Sequence, residues 1–169
     1  MFLAGAICIA RGGKFLDRFD CEKTGVLIVD EENHLRIVQD RLFRMGATED
    51  LPIYFLSQKD FNVENKKLTK DIIDFCDEKD IGAIFFDSLV RINSADENNA
   101  SEMSRVMGRL KAFCRANKTV IVTHHERKAG IFKSSAQNRL RGSSDILAAV
   151  DSHIAVSKDN EDKNKLKIE

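Results

Sequence analysis

Gly25-Val26-Leu27-Ile28-Val29-Asp30 is a short apolar run that closes on a carboxylate. Three later runs share its design: Ile53-Tyr54-Phe55-Leu56, Ala83-Ile84-Phe85-Phe86-Asp87 and Thr119-Val120-Ile121-Val122-Thr123. All four are rich in β-branched or aromatic residues and read as strands. Their hydrophobicity is continuous rather than alternating, so both faces of the sheet are expected to be covered, as happens when helices cross between parallel strands. Between the runs, Leu35, Val38, Leu42 and Met45 recur at spacings of three or four, as do Met103, Val106, Met107, Leu110 and Phe113. These are one-sided amphipathic helices. A further helix is expected around Leu68–Phe75, after the polar segment Ser57 to Lys67, and the polar segment Asn93 to Asn99 precedes the long helix ending near Ala116. Strands alternating with helices predict an α/β fold, a mostly parallel sheet with helices on both faces.

A length of 169 residues leads us to expect a single domain over 1–169. With 43% hydrophobic and 32% charged residues and one proline, disordered, collagenous and disulfide-scaffold classes are excluded. Lysine plus arginine (27) equals aspartate plus glutamate (27), so any nucleic-acid or membrane partner needs a local patch. Cys8, Cys21, Cys76 and Cys114 form no C-x-x-C pair and read as buried free thiols in a reducing compartment. The opening run Phe2 to Ala10 has no basic residue before it and no small-residue cleavage site after it, and it falls well below the roughly 20 residues that span a bilayer. It reads as a buried helix of a cytoplasmic protein with no membrane partner. Gly12-Gly13-Lys14 imitates a phosphate loop, but G-x-x-x-x-G-K-[ST] would need Gly at 8 and Ser or Thr at 15, where Cys8 and Phe15 stand. We read it as the turn that ends the first helix. Towards the carboxyl end, Ile146 to Val150 reads as helix, Ser152 to Val156 as strand, Asp159 to Lys165 as turn and Leu166 to Ile168 as strand.

Ligands of open parallel sheets bind at the carboxyl ends of the strands. Here those ends carry Asp30-Glu31-Glu32, Asp87-Ser88 and Thr123-His124-His125. Polar residues at strand ends are commonly just solvated, but carboxylates gathered with a histidine pair suit Mg²⁺ binding, water polarisation and phosphate sensing.

These stretches resemble the ATPase core of RepA-like hexameric replicative helicases, within the wider RecA-like, DnaB-related P-loop ATPases. The resemblance rests on Gly25 to Glu32, Asp87-Ser88-Leu89-Val90-Arg91, Glu97-Asn98-Asn99-Ala100 with Met103 and Gly108-Arg109-Leu110, His124 to Gly130, and Arg141-Gly142-Ser143-Ser144, in that order. It implies a core truncated at both ends, lacking the phosphate-loop strand and the last strands, and a protein that uses ATP and Mg²⁺ in DNA replication. Carried over by position, Asp87 is the Walker B aspartate that holds Mg²⁺ through water, with Ser88 beside it. Glu32 is the general base orienting the attacking water, His125 the polar sensor and His124 its neighbour. The segment Glu126 to Gly142 reads as a loop in which Arg127, Lys128, Lys133, Arg139 and Arg141 stand against Glu126, a net of four positive charges in seventeen residues. Such a loop suits contact with single-stranded DNA, and a solvated basic loop is the plain alternative. The resemblance further implies a hexameric ring with a site shared between subunits. Two departures matter: the phosphate loop has no counterpart, and Asp151 stands where the family's arginine finger would be. The chain alone is therefore expected to hydrolyse ATP negligibly.

Two other readings share parts of the pattern. A response-regulator receiver phosphorylated on Asp87, with Asp30 and Glu31 as its acidic pair and Thr123 as its switch residue, is the less favoured alternative, because Asp30 and Asp87 are 57 residues apart, no Pro follows Asp87 and no Lys-Pro closes the fifth strand. A RecA-like domain that binds partners or DNA without hydrolysis remains open.

Overall fold

The computed structural model describes residues 1–125, 144–158 and 165–168. In chain order these form α1 (Phe2–Arg11), β1 (Lys14–Phe15), β2 (Phe19–Asp20), β3 (Gly25–Asp30), α2 (Leu35–Arg44), β4 (Ile53–Ser57), α3 (Lys66–Glu78), β5 (Ile81–Asp87), a 3₁₀ turn (Leu89–Arg91), α4 (Ala100–Arg115), β6 (Thr119–Val122), α5 (Ser144–Ala149), β7 (Val156–Lys158) and β8 (Leu166–Ile168). They fall into two compact units, Met1–Ser94 with Gly108–His124, and Ala95–Met107 with His125–Glu169.

The first unit holds the expected α/β core. Its sheet runs β4-β3-β5-β6, every neighbour parallel, with Val26 to Asp30 of β3 beside Ile53 to Ser57 on one side and Ala83 to Asp87 on the other. All six residues of β3 are buried, which explains the continuous hydrophobicity of that run. Side chains alternate between the two faces. Val26 and Ile28 of β3 and Ala83 and Phe85 of β5 pack with Ala6, Ile7 and Ala10 of α1 and Val38 and Leu42 of α2. On the opposite face, Phe86 stacks on Phe61 at 5.5 Å and meets Phe113 of α4 at 5.4 Å, while Tyr54 meets Phe75 of α3 edge-on at 5.7 Å. Fully burying one such aromatic ring stabilises the fold by about 1.5–3 kcal/mol.

Local chemistry sets the helix ends. Asn65 Oδ1 accepts the amide N–H groups of Lys67 and Leu68 and starts α3. His34 Nδ1 accepts that of Arg36 and starts α2. Helix α1 stops at Gly12, whose φ of 72° is left-handed, and the N–H groups of Gly12 and Gly13 both reach Cys8 O. Gly12-Gly13 is thus a helix-ending turn, as its sequence suggested.

Three expectations need correction. The sequence reading passed over the β1–β2 hairpin, whose three-residue loop Leu16-Asp17-Arg18 places Leu16 and Asp17 at φ 54° and 56°. Left-handed loop positions normally announce themselves with Gly or Asn, and neither is present here; an exposed 2.7 Å Lys14–Asp20 ion pair bridges the two strands. The last helix and strands, in the second unit, also shift. Ser152 to Val156 is not a strand: β7 begins at Val156, because antiparallel pairing with β8 from Val156↔Ile168 to Lys158↔Leu166 selects the paired segment over the β-prone one. The cysteines are free but not uniformly buried. Only Cys76 is enclosed, and burial raises its thiol pKa to about 11; Cys8 and Cys21 are half-buried, and Cys114 is exposed beside the buried Phe113.

Among the described residues no helix is long and apolar enough to cross a membrane. The segments 126–143 and 159–164, and with them the basic loop and the expected turn, lie outside the described residues.

Candidate functional site

The chain reverses its progress across the sheet once. It steps from β3 through α2 to β4 on one side, then through α3 to β5 on the other side of β3, and on to β6. Where the direction changes, the connections leave in opposite senses and open a crevice at the carboxyl ends of the two strands. That switch point lies between β3 and β5, where the acidic residues stand.

The three consecutive carboxylates after Val29 do different things. Asp30, only 4% exposed, accepts the N–H groups of Glu32 (2.9 Å) and Asn33 (2.7 Å) through Oδ1 and the Asn33 amide at 3.1 Å through Oδ2. It fixes the turn that leaves β3. Glu31 reaches sideways: Oε1 accepts the N–H groups of Lys59 (3.2 Å) and Phe61 (3.1 Å), and Oε2 that of Asp60 (3.2 Å). It holds the loop beyond β4. Glu32 turns towards β5, where its Oε1 accepts the Ser88 hydroxyl at 2.5 Å and lies 3.9 Å from Arg91 Nε.

Asp87 ends β5 half-buried, its Oδ1 accepting the Thr123 hydroxyl at 2.5 Å. The Asp87–Ser88 peptide bond is cis. Backbone bonds tie the three strand ends together: Glu31 N–H to Asp87 O at 2.9 Å, Thr123 N–H to Phe86 O at 3.0 Å and Leu89 N–H to Thr123 O at 2.9 Å. A cavity of about 290 Å³ opens beside Arg91 and is lined also by Glu31, Asn62, Asn93 and Ser94.

Among the residues named from sequence, Glu32, Asp87 and Ser88 therefore meet at one edge, and His124, half-buried, follows Thr123 at the end of β6. His125 is exposed and begins the second segment of the second unit. Arg127, Lys128, Lys133, Arg139 and Arg141 lie outside the described residues. Sequence reasoning missed Arg91 as the cation beside Glu32, and although the resemblance singled out Glu32, it gave Asp30 and Glu31 no structural role. The Asp-x-x-Asn spacing of Asp30 and Asn33 was the available signal for a carboxylate-capped turn.

The donor set fits a hard divalent cation held sparingly. Among the described residues no three His, Cys, Asp or Glu side chains gather as a metal cage. One carboxylate at a strand end, Asp87, is what Mg²⁺ uses when it keeps several waters and leans on substrate phosphates.

A parallel sheet with its carboxylates at the switch point defines an α/β domain of the RecA-like type. A family model described as an AAA domain matches residues 1–130, and the chain belongs to that family, whose members are ATPase-type domains that generally use nucleotide and Mg²⁺. No curated protein matches the chain.

Proposed function

We propose that this chain is the carboxylate half of an ATP-hydrolysing site in a RepA- or DnaB-like helicase core. The observation that carries the reading is the meeting of Glu32 with Asp87-Ser88 across β3 and β5 at the switch point. Phosphoryl transfer asks a protein mainly for positioning and charge stabilisation. Glu32 would orient the attacking water and accept its proton. Asp87, steadied by Thr123, would hold Mg²⁺ through water. Bound Mg²⁺ supplies positive charge against the phosphates. His125, with His124 beside it, would report nucleotide state to the basic loop 126–142, and that loop would take the phosphates of single-stranded DNA in a hexameric ring.

None of the 169 residues forms G-x-x-x-x-G-K-[ST]. Backbone amides and a lysine for the β- and γ-phosphates are therefore not supplied by these residues, and this favours, as a second reading, a RecA-like domain that binds without hydrolysing. The 169-residue polypeptide is expected to turn over ATP negligibly. The test compares it with the same residues preceded by a strand and phosphate loop, taken from the upstream reading frame or grafted. Turnover should appear with the loop and fall by about 10²–10⁴-fold in Glu32→Gln, the range for loss of a positioned base. ATPase activity of the unextended chain at helicase rates, or a loop-bearing enzyme indifferent to Glu32→Gln, would overturn the proposal.

A further inference from the structure

Ser88 sits next to the Mg²⁺-holding Asp87, which by sequence placed it with the metal and nucleotide ligands. The geometry points elsewhere: we infer that Ser88, assisted by Arg91, is a positioning residue for Glu32. The inference rests on the base role given to Glu32 above and adds what keeps that base in place.

Ser88 is fully buried, so its hydroxyl has no access to bulk water, and it donates to Glu32 Oε1 at 2.5 Å. A hydroxyl-to-carboxylate bond of this length belongs to the charge-assisted class, roughly twice as strong as a neutral pair. Both ends of the bond are anchored. Ser88 O accepts the Arg91 N–H at 2.9 Å and the next amide, Leu89 N–H, is bonded to Thr123 O, which fixes the backbone that carries the hydroxyl. Glu32 N–H is bonded to Asp30 Oδ1, which fixes the backbone that carries the carboxylate. Only the Glu32 side chain between these anchors is left to be oriented, and a flexible glutamate two residues beyond its strand loses side-chain entropy when it is held.

Arg91 contributes less. Its Nε stands 3.9 Å from Glu32 Oε1, beyond hydrogen-bond reach, and its side chain is 64% exposed, so solvent screens the pair. It biases Glu32 by charge, while Ser88 fixes it by geometry.

The test on the 169-residue chain is carboxyl labelling with a carbodiimide and glycine ethyl ester, read residue by residue by mass spectrometry. Ser88→Ala should raise labelling of Glu32 by about tenfold or more, as expected when a held group gains freedom. Asp30, which a general loosening of the fold would also expose, should keep its rate, and Ser88→Thr should restore that of Glu32. Arg91→Gln should raise Glu32 labelling by about twofold, the size of a screened ion pair. Unchanged Glu32 labelling in Ser88→Ala would overturn the inference, as would a parallel rise at Asp30. In the loop-bearing enzyme, Ser88→Ala should lower kcat while the Mg²⁺ concentration for half-maximal rate stays the same, and a raised Mg²⁺ requirement at unchanged kcat would return Ser88 to the metal. Failure of the base assignment shows separately, as turnover that survives Glu32→Gln while the labelling pattern stands.

Discussion

Glu31 uses both carboxylate oxygens on the backbone of a neighbouring loop, accepting from Lys59, Asp60 and Phe61 in turn. The Asp30 carboxylate bonds within its own turn and that of Glu32 reaches a side chain, and the difference has a measurable consequence. In Glu31→Ala the three amide groups lose their acceptor, and their hydrogen exchange should quicken by about tenfold each, the equivalent of about 1.4 kcal/mol of local bonding. Amides in β3 and β5 should keep their protection; a uniform loss across the sheet would mean that Glu31 supports the core rather than the loop. In sequence Asp30, Glu31 and Glu32 are three adjacent acids, and nothing in their order separates the turn cap, the loop clamp and the carboxylate that meets Ser88. The distinction lies in where β4 and β5 end, which is long-range information. The position of Asp87 and Ser88 at the end of β5 was legible because a carboxylate closing an apolar strand is a local pattern. Arg91 was not, because a lone arginine after a strand is usually just solvated.

Among the elements, strands β3 to β6 followed from composition because a sheet covered on both faces needs segments that are apolar throughout, as β3 and β5 show most fully. The hairpin and β7 did not, since a two-residue strand carries too little pattern and a marginal strand forms where its partner lies. Gly12 and Gly13 show how one element boundary depends on backbone conformation. Gly12 has φ 72° and a Cβ there would stand 2.8 Å from Lys23 Cβ, whereas a Cβ at Gly13 would meet nothing within 4 Å. Gly12→Ala should therefore lower stability by about 1–2 kcal/mol or more, from left-handed strain together with the clash. Gly13→Ala should change it by no more than about 0.5 kcal/mol. Urea unfolding of the two variants side by side decides the matter, and equal effects would show that the helix does not end on the left-handed turn at Gly12.

For the whole molecule, a formal charge of zero conceals an uneven distribution: acids collect at the strand ends, and five basic residues crowd between 127 and 141. If that segment takes nucleic acid, binding must be local and strongly salt-dependent, because a neutral protein has no diffuse field to contribute. Replacing Arg127, Lys128, Lys133, Arg139 and Arg141 together by alanine should abolish single-stranded DNA binding in a fluorescence-anisotropy titration. Replacing one of them should reduce the slope of log K against log salt by about 0.7 for each phosphate that its charge neutralises. Affinity that survives the fivefold variant would place the nucleic-acid surface elsewhere.

The bonds across the strand ends also have a mechanical meaning. Glu31 N–H, Thr123 N–H, the Thr123 hydroxyl and Leu89 N–H stitch β3, β5 and β6 at one level, just where Asp87 stands. A seam of this kind resists shear, since sliding one strand past the next must break its stitches together rather than in turn. The seam holds the end of β3, just before Glu32, against the end of β5 at Asp87. Tension on the chain beyond Thr123 would load that seam first, before any strand in the interior felt it.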